Sequence, residues 1–307
     1  MMPTMKKILL WFLAFIITVV AALYQRKTGP TYPKRISVEI NDSIYDLKLV
    51  RSLGLDERPE VRIRVYDTTV KAVLYYKRFK TNDDYTSVPF KYREYPVNSF
   101  IMKKIFGINV EKGLYAHIPQ QQPAAKIEYY LELSYPGGTK TLLKENPVVL
   151  RFKGAVPSPV LTPHILIMFA AMLLSTVAGL FALAGIPSFR LLGVWTLILL
   201  TAGGMILGPL VQKYAFGSFW TGVPFGWDLT DNKTLIAFLF WILAVIMNRK
   251  NRRPAYIVLA SVILLIVYSV PHSLFGSEMD YSTGNIIQGF ILFFFIRKQK
   301  NLNLMQH

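Results

Sequence analysis

The sequence predicts a membrane protein in which a mainly α-helical bundle of about six transmembrane helices holds an inserted all-β sandwich. Three observations support this fold class. Of the 307 residues, 52% are hydrophobic, and many of them lie in apolar runs longer than soluble domains normally contain. Residues 30–156 differ in composition, since they hold 14 of the 18 acidic residues. The same stretch alternates apolar and polar residues with the period of a β-strand.

The composition excludes several kinds of site. The chain has no cysteine, which rules out disulfides, thiolate metal sites, iron–sulfur clusters and heme attachment through its own thiols. The formal net charge is +17, and a single basic patch of that size would suggest nucleic acid. The positive charge is instead divided between several loops and the β domain, so we expect no nucleic-acid partner.

The first element is the uncharged run 8–23, which follows Lys6 and Lys7. A charged start before an apolar run is typical of a cleaved signal peptide. The run is almost long enough to span a bilayer, and residues 21–24 make a poor cleavage site, so the sequence favours an uncleaved signal anchor. We place this first domain at residues 1–29.

Residues 30–156 predict an extracytoplasmic domain of about seven short strands. Turn sequences rich in Asn, Asp, Gly and Pro separate them, for example at 81–84 and 136–138. A longer stretch, 91–112, is predicted to be a lid or insertion. The clearest alternating runs are residues 61–65, 72–76, 114–118, 127–133 and 148–152.

The β domain resembles a fibronectin type III or immunoglobulin-like module. The runs YYKRF, SVPF, GLYAHIP and KIEYYLELSYPGG between residues 58 and 153 support this resemblance. It implies a spacer or a binding module that could dock another protein, and it implies no catalysis.

After Pro157 and Pro159 the chain becomes apolar, and residues 157–300 predict a five-helix transmembrane domain followed by a cytoplasmic tail at 301–307. The sequence Gly204-Met-Ile-Leu-Gly208 fits close helix packing better than dimerisation. The last spans are short for a bilayer of about 30 Å. The predicted spans are 164–184, 191–211, 234–248, 255–270 and 284–296.

The charges of the loops predict the orientation. On one side the loops contain ten basic residues and no acidic one. The positive-inside rule therefore places both termini in the cytoplasm of a bacterial-type inner membrane, with the β domain and residues 212–234 outside. The ten residues are Lys6, Lys7, Arg190, Arg249, Lys250, Arg252, Arg253, Arg297, Lys298 and Lys300.

The outer face is expected to contain the functional site. Residues 212–234 are rich in aromatic residues and glycine, and His164 and His272 lie at the outer ends of two spans. Simpler roles are also open. Trp220 and Trp227 fit an interfacial belt, and Asp231 fits an N-cap. The four acidic residues of the membrane half all lie in two outer loops: Asp228, Asp231, Glu278 and Asp280.

The order of an outer histidine, an aromatic Trp-Asp loop and a second outer histidine resembles the tryptophan-rich heme-handling proteins of cytochrome c maturation. The residues that resemble their motif are 216–220 (FGSFW) and 225–231 (FGWDLTD). An insert of Thr-Gly-Val-Pro, a phenylalanine at the first tryptophan position and Asp231 at a glutamate position depart from it. The resemblance implies that Trp220, Trp227 and Asp228 contact heme and that His164 and His272 are axial ligands.

The residue types are also suited to heme by themselves. Aromatic rings can stack on an iron porphyrin, neutral imidazoles can ligate its iron, and Lys213 or Lys233 could pair with propionates. The alternative is a divalent metal held by some of the two histidines and four acids, which would make a membrane hydrolase. No H-E-x-x-H or G-x-S-x-G motif supports an enzyme. A third alternative is a structural subunit that docks a protein through the β sandwich.

Overall fold

The computed structural model describes residues 4–41, 43–96, 104, 110–271 and 277–287. These residues separate into two compact units. The described parts of Met1–Pro30, Ala155–Glu278 and Ile286–His307 form a helical unit, and Thr31–Gly154 with Met279–Asn285 form a β unit. Nothing in the sequence pointed to the second segment of the β unit.

The helical unit is built from apolar helices with short connections. Residues Phe189–Phe216 form one continuous span in which a π-helix lies between two α-helical parts. The elements are α1 (Thr4–Thr28), α2 (Ser158–Leu183), α3 (Phe189–Leu200), the π-helix (Thr201–Leu207), α4 (Gly208–Phe216), α5 (Leu229–Met247) and α6 (Pro254–Ser269).

Within the described residues, four helices are long and apolar enough to cross a membrane, and Pro254–Ser269 is a shorter apolar helix. The expected number of about six is therefore not reached, because the described part of the chain contains five apolar helices. The predicted sixth span, 284–296, lies mostly outside the described residues. Its first residues are not helical: Gly284 has a positive φ and Ile286–Ile287 form a short strand.

Small residues let the helices of this unit approach closely. A Cβ added to Gly179 of α2 would lie 2.8 Å from the Cβ of Ser261 in α6. A Cβ on Gly193 of α3 would lie 2.9 Å from Ile257 Cδ1. The same holds for Gly204, where a Cβ would lie 3.0 Å from Thr234 Cγ2 in α5. The G-x-x-x-G sequence therefore serves helix packing within this chain, at least through Gly204.

The π-helix Thr201–Leu207 has a local cause in the sequence. Gly203 and Gly204 allow a wider backbone, and Pro209 has no N–H group to donate to an α-helical partner four residues earlier. The N–H of Gly208 instead donates to the carbonyl of Gly203, five residues back. This places the Gly203 carbonyl at the junction between the π-helix and α4.

The described residues between 34 and 153 form eleven strands, more than the seven expected. A hairpin at 34–49 was not predicted. The strands are β1 (Lys34–Ile40), β2 (Ser43–Leu49), β3 (Ser52–Gly54), β4 (Glu60–Ile63), β5 (Lys71–Arg78), β6 (Thr86–Pro89), β7 (Lys91–Pro96), β8 (Val110–His117), β9 (Lys126–Tyr135), β10 (Gly138–Leu142) and β11 (Val148–Lys153). Two further short strands are Glu278–Met279 and Ile286–Ile287.

Strands β1–β11 form three sheets. The largest has the order β3-β11-β9-β5-β6, with β10 also paired to β9, and β11–β3 is its parallel pair. A second sheet has the order β4-β8-β7, and β1 pairs with β2. Of the stretch 91–112, the described residues 91–96 and 110–112 belong to β7 and β8, and most of the predicted lid lies outside the described residues.

All three sheets contribute to one hydrophobic core. Leu49, Ile63, Leu74, Leu131 and Phe152 are almost completely buried in it. Their alternation with exposed residues agrees with the period expected for strands with one buried face. The arrangement is sandwich-like, and the β unit has a core of its own.

Candidate functional site

The loop 217–228 connects α4 to α5 and contains the aromatic and glycine residues that the sequence singles out. It begins where α4 ends. Gly217 adopts a left-handed conformation with φ of 88°, and its N–H donates to the Lys213 carbonyl. Glycine adopts this conformation without the strain that a side chain would cause. We call these twelve residues the aromatic loop.

The first turn of α5 fixes the backbone of the aromatic loop. The Oδ2 atom of Asp231 accepts hydrogen bonds from Thr221 N at 2.6 Å and from Thr221 Oγ1 at 3.2 Å. Gln212 Nε2 of α4 donates to Thr221 Oγ1 at 2.5 Å. Asn232 Oδ1 accepts from Val223 N at 2.8 Å. Loop residues are thus tied to both helices that flank them.

Asp228 is the N-cap of α5, the role that the sequence suggested for Asp231. Its side chain accepts from the N–H groups of Thr230 and Asp231, at 2.8 Å and 3.3 Å for Oδ1. The N-cap assignment was therefore wrong by three residues. Both carboxylates are buried and bonded to backbone N–H groups, so their chemistry here is structural.

Space in the loop is also restricted at Gly222. A Cβ on this residue would lie 2.7 Å from the Cβ of Asp231 and 2.9 Å from Asn232 Oδ1. The glycine therefore allows the loop to approach α5 closely enough for the bonds to Asp231 and Asn232.

Aromatic side chains lie on the outside of this fixed loop. Phe225 is 80% exposed, Trp227 58% and Phe219 53%. Trp220 is half-buried and donates from Nε1 to the carbonyl of Val223 at 3.1 Å. The loop therefore combines a polar, buried attachment with an apolar, exposed surface.

Lys213 and Lys233 have structural contacts. Lys213 Nζ donates to the Gly217 carbonyl at 2.8 Å and lies 5.3 Å from the centroid of the Phe219 ring. Lys233 is buried, and its Nζ donates to the carbonyl of Val270 at 2.6 Å. Val270 is the C-cap of α6, so the ammonium of Lys233 neutralises the negative end of that helix.

His164 lies near the N-terminal end of α2, where its ring is half-buried. Its Nδ1 atom is 2.9 Å from the carbonyl oxygen of Gly203 in the π-helix. A carbonyl oxygen only accepts hydrogen bonds, so Nδ1 must hold the proton in this contact. The other ring nitrogen, Nε2, is then the one with a free lone pair in the neutral imidazole.

The ring of His164 is also close to the start of α4. A Cβ on Gly208 would lie 3.9 Å from His164 Cε1, and Gln212, which contacts the aromatic loop, is one helical turn further along α4. One turn is a rise of about 6 Å. The histidine and the aromatic loop therefore belong to the same end of the helical unit.

The remaining predicted ligands either have local partners of their own or lie outside the described residues. His272 lies outside the described residues. Asp280 belongs to the β unit, where its carboxylate accepts from Ser282 N, Ser282 Oγ and Thr283 Oγ1. These bonds, from Ser282 first, lower the pKa of Asp280. Glu278 is buried and has an interaction partner of its own.

A divalent metal site would need several ligands that converge on one point. Within the residues that the structure describes, no group of three or more His, Asp and Glu side chains is arranged in this way. At this end of the helical unit, the described residues offer the oriented imidazole of His164.

Sequence reasoning missed three residues that hold the aromatic loop: Gln212, Thr221 and Asn232. One usable indication was the spacing of Asp228, Asp231 and Asn232 at the start of a helix, which suits bonds to a preceding loop. The π-helix and its contact with His164 had no recognisable pattern in the sequence.

No protein-family model matches the chain, and comparisons with curated proteins and with solved structures returned no match. The functional interpretation therefore rests on the chain's own residues.

Proposed function

We propose that the protein is a multi-pass membrane protein that binds heme beside the aromatic loop and handles it during cytochrome assembly. The observation that favours this proposal is the contact between His164 Nδ1 and the Gly203 carbonyl. Histidines that ligate a metal usually donate their other ring N–H to a carbonyl or carboxylate, which fixes the tautomer and the direction of the ligating nitrogen. His164 has this arrangement with the Gly203 carbonyl.

The aromatic loop supports the same proposal. A flat apolar ligand gains most from rings that are exposed and already held in place, because little conformational freedom is then lost on binding. Phe219, Phe225 and Trp227 are exposed, and the bonds from Asp231 and Asn232 hold the loop that contains them. Bound heme would supply an iron centre and the tetrapyrrole itself as cargo.

Three predicted site residues have a different role in this proposal. Asp228 and Asp231 act through the loop backbone and not as ligands, because their oxygens accept from backbone N–H groups. Lys213 neutralises the end of α4 through Gly217 and would still offer a positive charge near a propionate. The metal-dependent hydrolase would draw its ligands from a set that includes these two carboxylates, and their bonds to backbone N–H groups favour heme over it.

The orientation of the protein is part of the proposal. The distribution of Lys and Arg between the loops favours cytoplasmic termini and an aromatic loop on the extracytoplasmic face of a bacterial-type inner membrane. Heme delivery to cytochromes outside the cytoplasm needs a site on that face.

For the β unit we propose an immunoglobulin or fibronectin III-like role in which it docks a protein partner. Its separate hydrophobic core supports this role, because a domain with its own core can present a surface without support from the helices. This proposal is compatible with heme handling, since a receiving protein must be held near the site.

Heme binding can be tested with the purified full-length protein. Titration with hemin should produce a saturable Soret band that is shifted from that of free hemin, and His164→Ala should lose most of this band because the oriented imidazole is removed. His117→Ala is the matched control, since His117 is an exposed histidine of the β unit and its loss should leave the spectrum unchanged.

A chain that binds no hemin, or one in which both alanine variants keep the Soret band, would contradict the proposal. Metal analysis of the same preparation separates the alternatives. A stoichiometric divalent metal in a protein that does not bind hemin would favour the hydrolase.

A further inference from the structure

A second surface of the helical unit is formed by the two turns that connect α2 to α3 and α5 to α6. Arg190 Nη2 donates to the carbonyl of Arg249 at 2.5 Å, which joins the two turns. Around this contact the sequence places five basic residues. We define the basic end as Arg190, Arg249, Lys250, Arg252 and Arg253.

The turn 248–253 is held in one shape by a buried amide. Asn248 is 3% exposed. Its Nδ2 donates to the carbonyls of Ala244 and Arg253, and its Oδ1 accepts from Arg253 N at 2.7 Å. The Asn248 side chain therefore bonds to the backbone at both ends of the turn. This fixes the backbone positions of the exposed basic residues between them, Arg249, Lys250 and Arg252.

The positive charge of the basic end has no counterpart within the described chain. Neither 184–190 nor 248–253 contains an acidic residue. In the described residues, no ion pair joins any of the five cations to a carboxylate. Two helices end and two begin at these turns, so the partial charges of the helix termini largely offset one another. The guanidinium and ammonium groups therefore decide the local charge.

Exposed apolar side chains lie directly beside these cations. Leu191 follows Arg190 and is 62% exposed, and Ile246 precedes Arg249 by three residues and is 56% exposed. Both belong to helices that are long and apolar enough to cross a membrane. A molecule that fits both features has an anionic head and an apolar tail.

We propose that the basic end binds the phosphodiester headgroup of an anionic phospholipid, with the acyl chains against Leu191 and Ile246. Arginine forks match the oxygen geometry of a phosphate, and they form stronger bonds to it than neutral donors do. Clusters of Lys and Arg next to a span attract anionic lipids in this way. The proposal is independent of heme binding.

The test uses the full-length protein in neutral detergent and native mass spectrometry with added dioleoylphosphatidylglycerol or dioleoylphosphatidylcholine. The parent protein should bind the anionic lipid more tightly than the zwitterionic one. The double variant R249Q/R252Q should weaken binding of phosphatidylglycerol by roughly tenfold or more and leave phosphatidylcholine unaffected. The matched control K71Q/K91Q removes two exposed lysines from the β unit and should bind as the parent does.

A further variant distinguishes the effect of the turn's conformation on lipid binding from the effect of its positive charge. Asn248→Ala keeps all five cations but releases the turn, and it should weaken phosphatidylglycerol severalfold while the thermal unfolding midpoint is followed in parallel. Equal binding of the two lipids by the parent, or unchanged binding in R249Q/R252Q, would overturn the proposal. Displacement of the lipid by inorganic phosphate, but not by chloride at equal ionic strength, would identify a soluble anion as the ligand and overturn the lipid assignment.

Discussion

Asp231 lies in the first turn of α5, and its Oδ2 atom accepts both hydrogen bonds that Thr221 can donate. A buried carboxylate without such donors would be strongly unfavourable at the end of an apolar helix. With them, it becomes the residue that attaches the aromatic loop to the span. Asp228 and Asn232 add to this attachment, so three neighbouring polar residues hold one loop.

Replacement of Asp231 tests this role. Asp231→Ala leaves the partly buried N–H of Thr221 without its acceptor, so we expect a loss of about 1–3 kcal/mol in the free energy of unfolding. Thermal unfolding followed by tryptophan fluorescence in detergent would measure it. Phe225→Ala is the control, because Phe225 is 80% exposed and its loss should change stability by less than about 0.5 kcal/mol. Equal midpoints for the two variants would contradict the attachment role.

The elements of the helical unit pack through small residues more than through matched large ones. Gly179 of α2 meets Ser261 of α6, whose Oγ also donates to the Ser175 carbonyl at 2.7 Å. Glycine and serine allow two backbones to come close, which increases van der Waals contact between helices that gain little from the hydrophobic effect within lipid.

The contact between Gly179 and Ser261 can be tested with one variant that should lower stability and a second substitution that should restore it. Gly179→Ala places a Cβ 2.8 Å from Ser261 Cβ, so it should destabilise the protein by about 1–3 kcal/mol through overpacking. Ser261→Gly removes the opposing atoms, and the double variant should recover most of the lost stability. The readout is the thermal unfolding midpoint.

Gly208→Ala is the matched control for this series, since its nearest contacts would be 3.6 Å and 3.9 Å. It should unfold close to the parent. A double variant less stable than Gly179→Ala alone would show that the Gly179–Ser261 contact does not limit this crossing.

At the scale of the whole molecule, the β unit and the helical unit have separate hydrophobic cores. A domain with its own core can in principle fold alone. The β unit also includes Met279–Asn285, which is far away in sequence. The N–H of Met279 donates to the Ala124 carbonyl, and Tyr281 donates from its hydroxyl to the Lys126 carbonyl at 2.6 Å.

We therefore expect a soluble fragment of residues 31–154 to fold as a β protein. Circular dichroism and cooperative thermal unfolding would measure this. A peptide of residues 279–285 added in excess should raise the midpoint slightly, and the same peptide with Tyr281→Phe should have a smaller effect because it lacks the hydroxyl. A fragment that is disordered or helical would contradict the independent fold of the β unit.

The parts of the fold that the sequence predicts are those that depend on interactions between residues close together in sequence. Apolar runs and strand alternation are local patterns, and they located the four long spans and strands such as β5 and β9. The attachment of Met279–Asn285 to the β unit depends on contacts far apart in sequence, which no local pattern records. The hairpin β1–β2 shows the same alternation, for example at Ile36, Val38 and Ile40, so a local pattern was present there and was not recognised.

The candidate site was predictable in its residue types and not in their roles. The aromatic residues and His164 were recognisable, but the sequence could not distinguish Asp228 from Asp231 as the N-cap, since both precede the apolar part of α5. The hydrogen bond of His164 depends on the π-helix, and that geometry follows from the combined effect of Gly203, Gly204 and Pro209.

The π-helix Thr201–Leu207 also lets the span hold one residue more than a continuous α-helix would. Its i→i+5 bond closes a wider turn than the bond of an α-helix, so deletion of one residue between Thr201 and Leu207 would restore α-helical bonding and leave α4 close to its present rotational phase. Gln212 would then keep its bond to Thr221, whereas the Gly203 carbonyl would return to the helix ladder and leave His164. One deletion would therefore remove the histidine contact and keep the loop attachment.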